Sequence, residues 1–300
     1  MAALGKTPAL CSAQNVHRTL KPLSQFPTGA ATPASIVEAL KAVAGDPPKA
    51  RASFAKGRCV RGTYTASDRA EEITKSRSFT GPSRVLARFS VGGGNPEAAD
   101  TDNGELRGFA FRLGDDDHRS DILAQSAPVH FARTLDQMLH QANYISAHPL
   151  PGSFADTTYW GVHSFPATNL KGETRFIKFK VTPPGGDVTP TRHEGKAKSA
   201  DFLHDDLKSR IAAGDVRFSV MALLDRPGDP VMDVTIRWPD EDRREMVRLG
   251  TIVITGVEPN ELCDASIFNP ANLAEGIGHP PDQIFAARSA AYTISLAKRR

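Results

Sequence analysis

The sequence predicts an α+β protein with an antiparallel sheet or barrel at its centre and helices around it. Several segments alternate between apolar and polar residues over much of their length and are rich in β-branched and aromatic residues. Turns containing Gly, Pro and Asp separate them, and no regular helices intervene, which argues against a doubly wound fold. These segments are 57–67, 83–91, 105–114, 174–183, 216–225, 231–238 and 249–257.

One of these segments shows the expected two faces of a strand. In 174–183, Ile177, Phe179 and Val181 fall on alternate positions and are expected to face the core. Lys178 and Lys180 occupy the positions between them and are expected to face solvent. The segment therefore reads as a strand with one buried face.

Helical periodicity marks four further segments, at 34–45, 134–144, 199–214 and 280–300. The last is the clearest, because two prolines suit its first turn and Asp282 suits its positive N-terminal end. The basic residues 298–300 suit its negative C-terminal end. Residues 1–30 mix Pro, Gly, Ser and Thr without periodicity, so we expect a poorly ordered arm or extension before a single domain at 31–300.

Composition narrows the class of protein. The 300 residues are 40% hydrophobic and 24% charged, with a net charge of +3, as in ordinary globular domains. Nucleic-acid binding calls for a stronger and more clustered basic surface, and the chain has neither a long apolar run nor a signal-peptide pattern. We expect no nucleic-acid partner and no membrane association.

The cysteines predict a reducing environment. Cys11, Cys59 and Cys263 are odd in number, far apart and outside any CxxC motif. Neither a disulfide framework nor a zinc site is indicated, so a cytoplasmic location is expected.

Three polar motifs have plain structural interpretations. The glycines of VGGGNP (91–96) lack the Gly-Lys-Ser/Thr ending of a phosphate loop and indicate a turn. The acidic stretch 115–118 lacks calcium-loop spacing and indicates a solvated hairpin tip. The residues 204–206 indicate an exposed helix face, and no HExxH or GxSxG motif suggests a hydrolase.

The C-terminal helix carries a more specific pattern. Arg288, Tyr292 and Arg299 are spaced by four and seven residues, so they share one helical face. A guanidinium one turn before a phenol can stabilise it as a phenolate, an anionic oxygen ligand suited to haem iron. Taken alone, the pair is typical of a packing contact.

Six ordered motifs strengthen the haem interpretation. The chain, from about residue 50 to its C-terminus, resembles the haem catalases, most closely their minimal branch, the catalase-related peroxidases. The motifs are RASFAKG (51–57), ARFS (87–90), LRGFAFRL (106–113), SDILAQSAPVHFA (120–132), YWGVHSF (159–165) and IFNPANLAEGIGHPPDQIFAARSAAY (267–292).

The resemblance implies a roughly eight-stranded antiparallel barrel with surrounding helices and haem b with ferric iron as cofactor. Tyr292 matches the phenolate ligand of the iron, and Arg288 matches the residue that holds it ionised. His163 and Asp282 match the outer network that orients this arginine.

The resemblance also implies a propionate-binding group and a distal group. Arg51, Arg88 and Arg299 match the arginines that bind the haem propionates. Ser90 matches the serine that hydrogen-bonds the distal histidine, and Ser53 stands where the family often has a valine that narrows the substrate path.

Three positions depart from the family pattern. Gln125 stands at the distal asparagine, and its amide lies one methylene further out. His130 stands where larger catalases have a stacked phenylalanine, and could be a substitute base or a packed pocket wall. Phe54 stands at the distal histidine itself.

The change at Phe54 predicts impaired chemistry. In the family, the imidazole takes a proton from one peroxide oxygen and returns it to the other, which a benzyl group cannot do. Such acid–base assistance is typically worth about 10²–10⁴-fold. Phe54 is either an engineered substitution in an otherwise competent peroxidase or the mark of a natural haem-binding protein without peroxide turnover.

The short chain carries two further expectations. It ends soon after the haem-ligand helix, so the resemblance implies a more accessible haem than in larger catalases. That favours turnover of organic peroxides, or peroxide turnover with a small organic reductant, over fast dismutation of hydrogen peroxide. A homodimer is expected, because the arms that interlock larger catalases have no counterpart.

Overall fold

The structure is a computed structural model and describes residues 32–102, 106–128, 150–214 and 216–300. The expected N-terminal arm at 1–30, the expected helix at 134–144 and His130 lie outside the described residues.

A closed antiparallel barrel forms the centre of the described chain. In sequence order, eight strands pair as β5-β4-β3-β2-β1-β9-β8-β7, and β5 also pairs with β7, which closes the ring. A further strand, β6, extends the sheet beside β7. This confirms the predicted barrel. The strands are β1 (Gly57–Ala66), β2 (Ser83–Val91), β3 (Arg107–Leu113), β4 (Ser120–Gln125), β5 (Tyr159–Trp160), β6 (Phe165–Thr168), β7 (Thr174–Thr182), β8 (Arg217–Leu224) and β9 (Met246–Val257).

Aromatic side chains fill the barrel. Phe89 and Phe109 are register partners on β2 and β3, and their rings stack with centroids 4.3 Å apart. Phe218 on β8 packs against both rings, and all three side chains are fully buried. Because side chains alternate along a strand, the neighbours of these phenylalanines on β2 and β3 lie on the outer face of the barrel.

Helices lie at the ends and sides of the barrel. Three of the predicted helices are confirmed with shorter bounds, as α1, α5 and α7. The carboxylate of Asp282 caps α7 by accepting from the Phe285 N–H at 2.8 Å, as its position predicted. The described helices are α1 (Pro33–Val43), α2 (Ala70–Ile73), α3 (Arg77–Thr80), α4 (Arg192–Lys196), α5 (Phe202–Ala212), α6 (Asn260–Asp264) and α7 (Gln283–Ala297).

The predicted strand at 231–238 is wrong. This segment forms consecutive turns, and the backbone N–H of Thr235 donates to the carboxylate of Asp233 at 2.9 Å. Such local bonds offer the backbone an alternative to strand pairing. Of the alternating apolar residues that suggested a strand, Val234 and Trp238 are buried, whereas Met232 and Ile236 are exposed.

The predicted exposure of Lys178 is also wrong. Ile177, Phe179 and Val181 are fully buried as expected, but Lys178 is only 2% exposed. Its ammonium lies 3.0 Å from the Glu241 carboxylate and over the Trp238 ring. A lysine on the outer face of a barrel strand is thus covered by the turn segment that follows β8.

The expectation that no disulfide forms is contradicted. Cys59 on β1 and Cys263 on α6 are disulfide-bonded, with Cα atoms 5.8 Å apart and both residues fully buried. The two are 204 residues apart, so their spacing in the sequence gave no sign of the contact. The argument from cysteine usage for a reducing compartment therefore no longer holds.

None of the helices in the described part of the chain combines the length and apolar character that a membrane crossing requires.

Candidate active site

A row of residues runs across four strands on the outer face of the barrel. In register, Gly57 pairs with Ser90, Ser90 with Gly108, and Gly108 with Gln125. Register partners on adjacent strands share one face, so Ser90 and Gln125 flank Gly108 there. The sheet thereby brings together two residues that the resemblance assigns to the distal site.

The ring of Phe54 lies over the gap that Gly108 leaves in this row. A Cβ atom at position 108 would stand 2.9 Å and 3.0 Å from Cδ1 and Cε1 of Phe54, and 2.7 Å from Oγ of Ser90. Sequence reasoning missed Gly108 as a site residue. The available signal was a glycine inside the otherwise bulky strand LRGFAFRL, which often marks a close approach.

The backbone at Phe54 is held in an uncommon conformation. Its φ angle is +54°, in the left-handed region that costs a residue other than glycine about 1–3 kcal/mol. The Arg88 guanidinium donates to the carbonyl oxygens of Phe54 and Ala55, both at 2.8 Å. Arg88 thus fixes the turn that directs side chain 54 onto the outer face.

Gly57 makes room for that guanidinium. A Cβ atom at position 57 would lie 2.4 Å from Cζ of Arg88, which is nearer than real Cβ contacts come. The glycine of RASFAKG is therefore required where β1 begins. It is a second site residue that sequence reasoning did not single out.

Three arginines form a buried cationic cluster beside this turn. Burial and the charges of neighbouring arginines lower the pKa of Arg88 to about 9. The same causes lower the pKa of Arg299 to about 10, and burial lowers the pKa of Arg51. Arg51 is paired with the Asp264 carboxylate at 3.0 Å and donates to the Cys263 carbonyl at 2.7 Å.

The cluster carries more positive charge than its one carboxylate partner neutralises, and the excess matches two further carboxylates. Three guanidinium charges less the one carboxylate charge of Asp264 leave two positive charges uncompensated. Among the described residues, the buried Nε and Nη1 of Arg299 have no hydrogen-bond partner, and only its Nη2 donates, to the Ser266 carbonyl at 3.3 Å. Haem carries two propionates, so this donor set suits the cofactor that the resemblance implies.

A continuous hydrogen-bonded chain runs along the predicted proximal residues. Nη2 of Arg288 donates to the Tyr292 hydroxyl oxygen at 3.1 Å, and its Nη1 lies 2.8 Å from Nε2 of His163. Nδ1 of His163 lies 2.8 Å from the Asp282 carboxylate. The structure thus brings together all four residues on which the proximal expectation depends.

The hydrogen-bond partners of His163 determine which of its ring nitrogens carries the proton. An arginine can only donate, so Nε2 of His163 accepts and Nδ1 carries the proton donated to Asp282. Burial and the nearby Arg288 charge outweigh the Asp282 contacts and lower the pKa of His163 to about 4. Burial raises the pKa of Asp282, but the bonds from His163 and the Phe285 N–H more than offset this and lower it overall.

The proximal chain and the arginine cluster lie on the same side of the barrel. Arg299, which follows α7 and lies two turns after Tyr292, donates to the Ser266 carbonyl, and the nearby Asp264 pairs with Arg51. Helix α7 and the segment before β1 therefore face a common space.

The remaining distal positions differ in their contacts. Gln125 is buried, and its Nε2 donates to the Ala127 carbonyl at 3.3 Å. Ser90 is buried as a residue, and its hydroxyl makes no hydrogen bond with the described residues. Ser53 is half-buried in the turn before β1.

One prediction about helix α5 needs correction. His204, expected to be exposed, is 4% exposed, and its Nδ1 lies 2.9 Å from the Asp100 carboxylate. Asp100, Asp201 and His204 have metal-ligating atoms close together. The Lys56 ammonium, 3.0 Å from Asp100 and 2.7 Å from Asp201, already supplies a cation there.

The other two polar motifs are as predicted. Residues 92–94 form a bend after β2, and residues 116–118 form a short 3₁₀ turn between β3 and β4 with an exposed Asp115 before it.

The catalase family profile matches residues 34–139 and 134–300. The chain belongs to the catalase family. Among its curated relatives in the family is a catalase-related peroxidase of Synechococcus elongatus, which is 27% identical over 91% of this chain and 90% of its own length. A catalase-related peroxidase of Mycolicibacterium paratuberculosis is 29% identical over 91% of this chain and 96% of its own length.

Longer catalases match a part of their length. A catalase of Helicobacter pylori is 24% identical over 81% of this chain and 57% of its own length. A solved bacterial catalase superposes with a TM-score of 0.75 at 20% identity, over 98% of this chain and 68% of its own. At that identity the superposition establishes the catalase fold and no more.

Proposed function

We propose that this chain is a haem-dependent peroxidase that acts on hydrogen peroxide or organic peroxides, with activity lowered by Phe54. The observation that carries the proposal is the hydrogen-bonded chain from Asp282 through His163 and Arg288 to Tyr292. Two relatives matched over nearly all of the chain are catalase-related peroxidases, which supports the same reaction class.

The residues present suit a haem b cofactor. Haem would supply an iron centre that exchanges electrons with peroxide. Tyr292 would provide an oxygen ligand for that iron, and the Arg288 guanidinium would stabilise negative charge on the oxygen. Arg51, Arg88 and Arg299 would bind the propionates, and the unpartnered nitrogens of Arg299 would gain acceptors.

The distal residues of this chain can orient peroxide but cannot move its proton efficiently. Gln125 offers an amide, and the Ser90 hydroxyl lies beside the seat of residue 54. A phenylalanine ring has neither a lone pair nor a transferable proton, so the transfer between peroxide oxygens loses its base. Impairment of this step, and not of cofactor binding, is the proposed consequence of Phe54.

Restoring a base tests this directly. We expect Phe54→His to raise peroxide consumption by the haem-loaded chain roughly 10²–10⁴-fold. Phe54→Leu is the matched control, because it also removes the phenyl ring but adds no base. An equal rate in Phe54→His and Phe54→Leu would contradict the proposed role of position 54.

A second candidate function is haem binding without peroxide turnover, and Phe54 is the observation that favours it. If Phe54→His binds haem and still consumes no peroxide, this second function is preferred. A gain of activity instead supports Phe54 as a substitution in an otherwise competent enzyme.

The preferred reaction of the active form is peroxidase turnover. Peroxide loss by Phe54→His, measured with and without an aromatic reductant, compares the two reactions. We expect the reductant to raise the rate, and dominant oxygen release without reductant would contradict this. The cytoplasmic location and the homodimer remain proposals, which fractionation and light scattering can test.

A further inference from the structure

A charged cavity of about 480 Å³ opens beside the turn that carries Phe54 and is lined by Ala55, Lys56 and Gly57 of that turn. Its walls are the segment 48–58, helix α5 and helix α6. Two of its lining residues, Arg51 and Arg88, belong also to the arginine cluster, whereas Arg299 and Tyr292 do not line it. The cavity therefore adjoins the candidate haem site without coinciding with it.

The lining is strongly cationic. Six basic side chains face the cavity against three carboxylates, those of Asp201, Asp205 and Asp264. A concave site with one dominant sign of charge concentrates ligands of the opposite sign. The basic residues are Lys49, Arg51, Lys56, Arg58, Arg88 and Lys208.

Among the described residues, three of these cations have no carboxylate partner: Arg88, which belongs to the arginine cluster, and Lys49 and Arg58, which do not. Lys56 is paired with Asp100 and Asp201, Lys208 with Asp205 at 3.5 Å, and Arg51 with Asp264. Lys49 and Arg58 form no ion pair with any described residue. Nε of Arg58 is in addition buried without a hydrogen-bond partner.

The size of the cavity indicates an organic ligand. Pockets for small organic molecules measure about 300–1,000 Å³, and this cavity falls inside that range. An inorganic anion would fill only a fraction of it. Lys49 and Arg58, the two uncompensated cations outside the arginine cluster, match a ligand with two negative charges.

We propose that this cavity binds a small organic dianion, and that the anion is the electron donor for peroxide reduction. The donor role rests on the proposed function, whereas the binding site does not. In the net reaction, two donor molecules each lose one electron, and two protons come from the donors or, for a donor that has no proton to release, from the solvent. One molecule of ROOH takes these up and becomes ROH and water.

Binding is tested with phthalate, a dianion that is not itself a donor, by titration calorimetry of the haem-loaded chain. We expect Arg58→Gln and Lys49→Gln each to weaken binding about tenfold. Arg84→Gln, which removes the same charge from an exposed site on β2, is the matched control and should bind normally. Thermal unfolding checks that each variant is folded. If Arg58→Gln does not fold, Lys49→Gln still tests the site, because Lys49 is exposed and its substitution should not disturb folding.

Three outcomes of these binding measurements would overturn the proposed dianion site. The first is equal phthalate affinity in Arg58→Gln, Lys49→Gln and Arg84→Gln. The second is phthalate binding that haem abolishes, which would make the cavity a part of the propionate site. The third is inorganic phosphate binding as tightly as phthalate, which would remove the argument for an organic ligand.

The donor role is tested by steady-state kinetics in the Phe54→His background. The dianionic dye ABTS should show a KM about tenfold higher in Arg58→Gln, with an unchanged KM for the neutral phenol guaiacol. An unchanged KM for ABTS overturns the donor role. Failure of every variant to use either donor contradicts the proposed function, and the phthalate titration still decides the site.

Discussion

At the scale of single residues, the surroundings of position 54 leave space for one ring-sized side chain. Arg88 holds the turn, Gly57 admits Arg88, and Gly108 leaves space for the side chain beside Ser90. Phe54 fills this space with a ring of similar size. The surroundings therefore suit an imidazole as well as a phenyl group, which is why a single substitution should restore proton transfer.

His163 makes stability depend on pH. Its pKa is about 4 when folded and about 6.5 when unfolded. Below pH 6.5 the unfolded chain therefore binds a proton that the folded chain does not, and stability falls as the pH drops towards 4. The loss is about 3 kcal/mol.

Thermal unfolding of the chain between pH 4 and pH 7 measures this dependence. His163→Gln should flatten the profile in that window, because glutamine does not titrate. His118→Gln, at the hairpin tip, is the control and should leave the profile as it is. An unaltered slope in His163→Gln would be at odds with a neutral buried histidine.

At the scale of elements, the start of β1 depends on a glycine. We expect Gly57→Ala to displace the Arg88 guanidinium and to lower stability by about 1–3 kcal/mol, as in other overpacked sites. Haem affinity should fall as well, because Arg88 belongs to the arginine cluster that we propose binds the propionates.

Gly185→Ala is the matched control. No atom lies within 4 Å of a Cβ at position 185, and its φ is not in the left-handed region. Denaturant unfolding and haem titration of both variants make the comparison. Equal stability and equal haem affinity in Gly57→Ala and Gly185→Ala would contradict a role for the close approach at Gly57.

Alternation identified six of the strands, and the failures have physical causes. The strand β4, SDILAQ, is buried on nearly all positions, so it shows no period of two. The strands β5 and β6 are too short to show a pattern. The segment 231–238 alternates in sequence, but its turns bury only Val234 and Trp238 and leave Met232 and Ile236 exposed, which the sequence pattern does not distinguish from a strand.

The candidate site was predictable only where a motif carried it. The spacing of Arg288 and Tyr292 predicted their contact, because one helix presents both. The position of Gly108 beside Ser90, where the Phe54 ring lies, depends on the register between β2 and β3. The Asp264–Arg51 ion pair joins residues that are far apart in the sequence. Such tertiary contacts leave no local pattern.

At the scale of the whole molecule, the barrel and the helices each contribute part of the candidate site. The outer face of β1–β4 presents the row of Gly57, Ser90, Gly108 and Gln125. Helix α7 presents Arg288 and Tyr292. The ion pair of Lys298 with Glu38 links the end of α7 to α1, and the Cys59–Cys263 disulfide links α6 to β1. Helix α6 in turn carries Asp264, the partner of Arg51.

The disulfide predicts a specific thiol count. The chain has three cysteines, so the unfolded protein should titrate one thiol without reductant and three after reduction. Cys11→Ser should reduce the first value to none. Three thiols in protein prepared without reductant would show that Cys59 and Cys263 are not paired.

The central claim is that Tyr292 and the arginine cluster make this chain a haem protein. Its most direct test is a haem titration followed by absorption spectroscopy, for the original chain and for Tyr292→Phe. We predict one haem per chain with the spectrum of a ferric iron bound by phenolate, and loss of that spectrum in Tyr292→Phe. Failure to bind haem, or an identical spectrum in Tyr292→Phe, would contradict the claim.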